Sequence, residues 1–208
     1  MMRTRIKFCG LTRIDDVRAA VELGVDAIGF VLTRKSCRFV ELAQARALRD
    51  ALPPFVAAVA LLMDDSADWV DEVVASVRPD LLQFHGEETA EFATRFPRPY
   101  LKAVPMASVG DVAAYASRHP QASGFLLDSH AVGMVGGTGG TFDWTRVPRD
   151  LGRPLVLAGG LEASNIAQAI AVAQPYAVDV SSGIESAPGL KDVAKMQAFV
   201  ATARETDR

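Results

Sequence analysis

The residues able to do chemistry fall at the ends of short apolar runs. Cys9 follows residues 6–8, Lys35 and Arg38 lie beyond 27–31, Asp64 beyond 56–62, and His85 directly after 81–84. Asp128 follows 124–127, Gly159 and Gly160 follow 155–158, and Ser181, Ser182 and Gly183 follow 177–180. A thiol and a carboxyl are the parts of a proton-transfer pair. Cys9 serves as a base near neutral pH only if a helix N-terminus, backbone donors or a cation stabilise its thiolate; alone, such a cysteine reads as a small buried hydrophobe. Asp128 ends the apolar run Phe125-Leu126-Leu127, where charge is costly. A partly desolvated carboxyl there has a raised pKa and suits a general acid, the plainer alternative being a helix or loop cap.

Three glycine clusters stand out: Gly136-Gly137-Thr138-Gly139-Gly140, Gly159-Gly160 and Ser182-Gly183. Glycine lets backbone N–H groups approach an anion, and it also makes loops flexible. The last two clusters are assigned to a phosphate and the first to a lid. Arg34, Lys35 and Arg38 form a cationic group; over a binding mouth, Arg38 could fork onto a carboxylate. His85 reads as a hydrogen-bonded structural side chain, with no second histidine or paired carboxylate nearby to propose a metal site. Cys37 is structural or incidental, and neither cysteine belongs to a CxxC or Cys/His cluster.

The elements that must position these groups alternate. Eight strands at 6–8, 27–31, 56–62, 81–84, 100–104, 124–127, 155–158 and 177–180 are separated by segments of helical period, the pattern of βα units on a parallel sheet. In the first unit Thr12 caps a helix with Ile14, Val17, Ala20 and Val21 on one face and Gly24 at its stop; in the last, Asp192 caps a helix with Val193, Met196, Phe199, Val200 and Ala203. Eight units and no GxGxxG after the first strand favour closure over an open sheet. The fold expected is a single (β/α)8 TIM barrel with parallel strands, one domain over 1–208. Active sites of such barrels lie at the C-terminal strand ends, so all these residues share one mouth.

Composition narrows the partners. The 208 residues are 50% hydrophobic and 23% charged, a globular balance. Lys and Arg number 22 against 25 Asp and Glu, so a net charge of -3 offers no field for nucleic acid. No membrane span or secretory leader is read, and a cytoplasmic location is expected. The oligomeric state is left at monomer or homodimer.

The motifs Lys7-Phe8-Cys9-Gly10-Leu11-Thr12, Gln83-Phe84-His85-Gly86-Glu87, Leu126-Leu127-Asp128, Gly136-Gly137-Thr138-Gly139, Leu157-Ala158-Gly159-Gly160-Leu161 and Asp179-Val180-Ser181-Ser182-Gly183 together resemble the phosphoribosylanthranilate isomerase family of tryptophan biosynthesis, from about residue 6 to residue 200. The resemblance implies a cofactor-free, metal-free Amadori rearrangement of a small phosphoribosyl substrate, with Asp128 as acid, Cys9 as base and Arg38 on the anthranilate carboxylate. It places the phosphate on Gly159, Gly160, Ser182 and Gly183, Ser181 beside them, and His85 and Asp179 in the pocket wall. Cys37 stands where proline is usual, Leu32-Thr33-Arg34 replaces a more aromatic stretch, and Gly140 replaces a common lysine, which bears on loop closure and affinity. The alternatives are another phosphosugar barrel isomerase, disfavoured because such an enzyme would pair two aspartates, and a non-catalytic phospho-ligand sensor, which needs neither acid nor base.

Overall fold

In the computed structural model, which describes residues 3–131 and 140–207, eight strands pair side by side in chain order and the last returns to the first. The result is a closed parallel barrel. The strands are β1 (Arg5–Cys9), β2 (Ala27–Val31), β3 (Ala57–Leu62), β4 (Leu81–Phe84), β5 (Tyr100–Pro105), β6 (Gly124–Asp128), β7 (Leu155–Leu157) and β8 (Ala177–Val180). Each matches an expected run to within two residues at either end. The helices are α1 (Ile14–Glu22), α2 (Leu42–Asp50), α3 (Ala67–Val77), α4 (Ala90–Ala93), α5 (Val112–Ala116), α6 (Ile166–Ala173) and α7 (Val193–Glu205). Among the described residues, a 3-10 turn at Trp144–Arg146 is the one helical element between β6 and β7.

Two apolar layers hold the barrel. Outward side chains such as Ile6, Phe8, Ile28, Phe30 and Phe84 meet the helices, whereas Leu101, Ala103, Leu126, Val156, Ala158 and Ala177 fill the inside. Strand alternation makes the two sets distinct, because successive residues point to opposite faces. Toward the C-terminal ends the inner set gives way to mostly polar residues, with Ala158 bordering the cavity there. No helix of the described residues is long and apolar enough to cross a membrane.

Some local expectations change. Thr12 does not cap α1: its hydroxyl donates to the Gly189 carbonyl at 2.7 Å, and Arg13 occupies the cap position. Val193 is exposed, although Met196, Phe199, Val200 and Ala203 are buried. Asp192 does cap α7, accepting from the Lys195 N–H at 3.0 Å, and Gly24 ends α1 at φ 72°. A two-stranded hairpin after β8 was not foreseen; it pairs β9 (Glu185–Ala187) with β10 (Leu190–Lys191) around Pro188-Gly189. Of the glycines at 136–140, Gly136, Gly137 and Gly139 lie outside the described residues.

Candidate active site

The C-terminal strand ends surround a half-open cavity, the place where (β/α)8 barrels carry their active sites. Cys9, Arg38, His85, Asp128, Gly159, Gly160, Asp179, Ser181 and Ser182 line it. Gly183 lines an adjoining cleft that shares Gly160 and Ser182. Asp64 is elsewhere: its carboxylate accepts from the Glu87 N–H at 2.6 Å and organises that loop. The cationic group separates, with Arg34 over the Phe39 and Trp69 rings and Lys35 donating to the Met63 carbonyl.

Cys9 ends β1 with its side chain turned inward, 5% exposed. Two residues earlier on the same face is Lys7, whose Nζ sits 2.8 Å from Asp179 and whose charge acts on the thiol. This is the cation missing from the sequence reading. Gly29, paired with Cys9 across β1 and β2, makes room for both: a methyl group there would lie 2.8 Å from the sulfur and 3.1 Å from Lys7 Nζ. Burial pushes the Cys9 thiol above the ordinary 9.0, and Lys7 and Lys191 pull it back. Burial opposes charge on Lys7 too, but Asp179 and Cys9 hold its pKa above the usual lysine value.

Asp128 ends β6, its backbone paired with Pro105 of β5. Its carboxylate accepts from the His130 N–H at 3.3 Å and lies 3.5 Å from His85 Nε2 and 3.6 Å from His130 Nδ1. The two imidazoles stack at 4.3 Å. Burial raises the carboxyl, yet the His130 ring, His85 and the His130 backbone outweigh it and leave Asp128 below the ordinary 3.8. The raised pKa expected from burial is thus corrected: both histidines favour the anion. His85 is lowered to about 4, first by burial, and is neutral at pH 7. The sequence expectation of no second histidine near His85 is corrected too. The Asp128-x-His130 spacing, continuing the strand's two-residue period, was the available signal.

Arg38 is buried and forked onto Glu185, with Nε to Oε1 and Nη2 to Oε2 both 2.8 Å. Lys191 Nζ donates to the same carboxylate at 2.8 Å and to the Ser181 carbonyl at 3.0 Å. The fork therefore engages Glu185, and Nη1, which donates to the Cys37 sulfur at 3.8 Å, is the donor outside that fork. Glu185 and Lys191 come from the unforeseen hairpin; Pro188-Gly189, a turn dipeptide whose glycine has φ 79°, was its sequence signal.

The glycines after β7 and β8 are sterically required. Gly159 has φ 81°, and a methyl group there would sit 2.5 Å from the Ser129 amide nitrogen. At Gly183 a methyl group would overlap the Leu161 carbonyl oxygen, so the two loops pack backbone to backbone. Such loops present N–H groups to an anion without side chains between.

A closed (β/α)8 barrel whose C-terminal mouth gathers a thiol, a carboxyl and two glycine loops has the architecture of a TIM-barrel enzyme. The chain belongs to the N-(5'phosphoribosyl)anthranilate (PRA) isomerase family, whose model matches residues 6–202. It is 53% identical over 213 residues to the N-(5'-phosphoribosyl)anthranilate isomerase of Xanthomonas oryzae pv. oryzae (strain PXO99A), covering 100% of this chain and 96% of that protein. The phosphoribosyl anthranilate isomerase of Thermus thermophilus superposes with a TM-score of 0.85 at 35% identity over 96% of this chain and 98% of its own. A phosphoribosyl anthranilate isomerase in complex with reduced 1-(o-carboxyphenylamino)-1-deoxyribulose 5-phosphate gives 0.83 at 34% identity, covering 97% and 99%.

Proposed function

We propose that residues 1–208 act as one catalytic barrel that rearranges N-(5-phosphoribosyl)anthranilate to 1-(2-carboxyphenylamino)-1-deoxyribulose 5-phosphate in tryptophan biosynthesis, with Asp128 as acid and Cys9 as base. The observation that carries this reading is that both groups line one cavity whose rim holds the Gly159-Gly160 and Ser182-Gly183 loops. Asp128 protonates the ribose ring oxygen and the ring opens to an iminium. Cys9 then removes the proton from C2, and the resulting enolamine tautomerises to the ketone. The reaction only moves protons, so an acid, a base and a fixed substrate suffice. The phosphate rests on the glycine loops, and Arg38 Nη1 meets the anthranilate carboxylate while Glu185 holds its fork in place.

The resting protonation is the reverse of the productive one. Cys9 lies above 9.0 and Asp128 below 3.8, so the free site holds thiol and carboxylate. Between those values each pH unit that gains thiolate tenfold loses carboxylic acid tenfold, and the productive fraction stays constant. Lys7 raises that fraction by favouring the thiolate. The substrate's own negative charges, brought beside Asp128, favour its protonated form.

The test is a fluorescence assay of freshly made phosphoribosylanthranilate with the wild type, Cys9→Ala and Asp128→Asn. Loss of a positioned acid or base costs about 10²- to 10⁴-fold, and each variant should lose at least that while retaining its fold. Near-normal turnover in either removes that residue from its role. The thiol at the end of β1 disfavours a dual aldose-ketose isomerase built on paired aspartates.

A further inference from the structure

His85, Asp128 and His130 meet in a way that acid catalysis does not require. We infer that they form a binding site for a divalent transition-metal ion of the zinc type, and that such an ion blocks the enzyme by occupying the Asp128 carboxylate. One ligand atom from each residue lies within 4.8 Å of the others, and all three residues are buried. The carboxylate oxygens are 3.5 and 3.6 Å from the ring nitrogens, too far for good hydrogen bonds. Two ligand atoms held 2.0–2.1 Å from a tetrahedral ion are about 3.4 Å apart; His85 Nε2 stands at nearly this spacing from Oδ2 and His130 Nδ1 from Oδ1, so a small shift of the side chains would close the set on one ion.

The ring nitrogens also lack other employment. Neither His85 Nε2 nor His130 Nδ1 has a hydrogen-bond partner among the described residues, although buried polar atoms nearly always have one. Histidines that bind metals usually donate their second N–H to an acceptor. Gln83 provides this for His85: its amide faces Nδ1 at 3.2 Å, and after a half-turn its oxygen would accept from Nδ1–H, leaving the Nε2 lone pair for the ion. The nearest lysines do not oppose a cation with full force, since Lys7 is paired with Asp179 and Lys102 with Glu88, each at 2.8 Å.

His85 and His130 also line a second cleft, together with Glu87 and Glu88, so the side of the cluster away from the substrate cavity faces two further carboxylates. Two imidazoles and one carboxylate leave a fourth position for water, the donor set of open zinc-type sites. The bound ion removes the proton-donating oxygen from the reaction, so metal and turnover exclude one another.

The site is tested on the purified, chelator-treated full chain with Co²⁺ as a spectroscopic probe, a readout independent of the role assigned to Asp128 in isomerisation. One equivalent should produce visible d–d bands of a nitrogen/oxygen site without a sulfur charge-transfer band, and Zn²⁺ should displace it. Loss of even an outer partner costs a metal ligand about 10–100-fold in affinity, so His130→Ala should weaken Co²⁺ binding at least about 100-fold. His130→Asn serves if the alanine variant does not fold. Zn²⁺ should inhibit the wild type at concentrations that leave the His130 variant, measured against its own metal-free rate, unaffected. Absence of the bands, unchanged affinity in the His130 variant, or a thiolate charge-transfer band that vanishes in Cys9→Ser would each overturn the site.

Discussion

Lys7 stands two residues before Cys9 on the inner face of β1, its ammonium group 2.8 Å from the Asp179 carboxylate and its charge favouring the Cys9 thiolate. The contact ties β1 to Asp179 of β8, 172 residues away in sequence. Through its charge Lys7 makes a buried thiolate less costly without touching the reacting atoms.

Lys7→Met should therefore raise the Cys9 pKa and lower kcat/KM by about tenfold for each unit of that rise. Alkylation of Cys9 by iodoacetamide, followed against pH, reads the pKa directly. The substitution strands Asp179, and breaking a buried pair from one side costs about 3–5 kcal/mol. Lys7→Met with Asp179→Leu should recover stability without recovering the rate. An unmoved alkylation profile in Lys7→Met leaves the lysine a purely structural role.

The pH dependence follows from the reversed protonation. kcat/KM should be flat across neutral pH and fall on the alkaline side only above 9.0, as Cys9 loses its proton in the resting enzyme and Asp128 can no longer be recharged. The acidic limb belongs to Asp128 and lies below 3.8. A profile that rises steeply between pH 6 and 8 contradicts this order, as it would place a titrating thiol or carboxyl in the neutral range.

Arg38 and Glu185 predict separable effects. Arg38→Ala removes a charge-assisted hydrogen bond, worth about 1.5–3 kcal/mol, and should raise KM by about 10- to 100-fold with a smaller change in kcat. Unchanged kinetics would free Arg38 from substrate. Glu185→Gln leaves Arg38 and Lys191 close together without their shared counter-ion, and should lower the thermal midpoint. Burial raises the Glu185 pKa, but Arg38 and Lys191 bring it below the ordinary 4.5. A lowered folded-state value contributes stability present above 4.5 and lost as pH falls through the folded value, so the wild-type advantage over Glu185→Gln should fade in acid.

Gly183→Ala should damage phosphate binding. The new methyl group overlaps the Leu161 carbonyl oxygen and must push the two glycine loops apart. A KM increase with inorganic phosphate losing its competitive effect is the expected pattern; normal phosphate competition would place the anion elsewhere.

The sequence by itself determined the repeating frame. Eight β-rich runs alternate with helical segments, and period-two alternation sends Cys9 and Asp128 inward at the ends of β1 and β6. Local chemistry was enough there, because strand ends, turn glycines and apolar runs are written in consecutive residues. The partners of those groups were decided only by closure. Asp179 reaches Lys7 because β8 pairs with β1, and Glu185 reaches Arg38 because the hairpin after β8 folds back over the mouth. His130, after β6, meets His85, after β4, across the end of the intervening β5, and together they reversed the expected shift of Asp128. Charge interactions depend on distance and burial, and neither quantity exists until the barrel has closed.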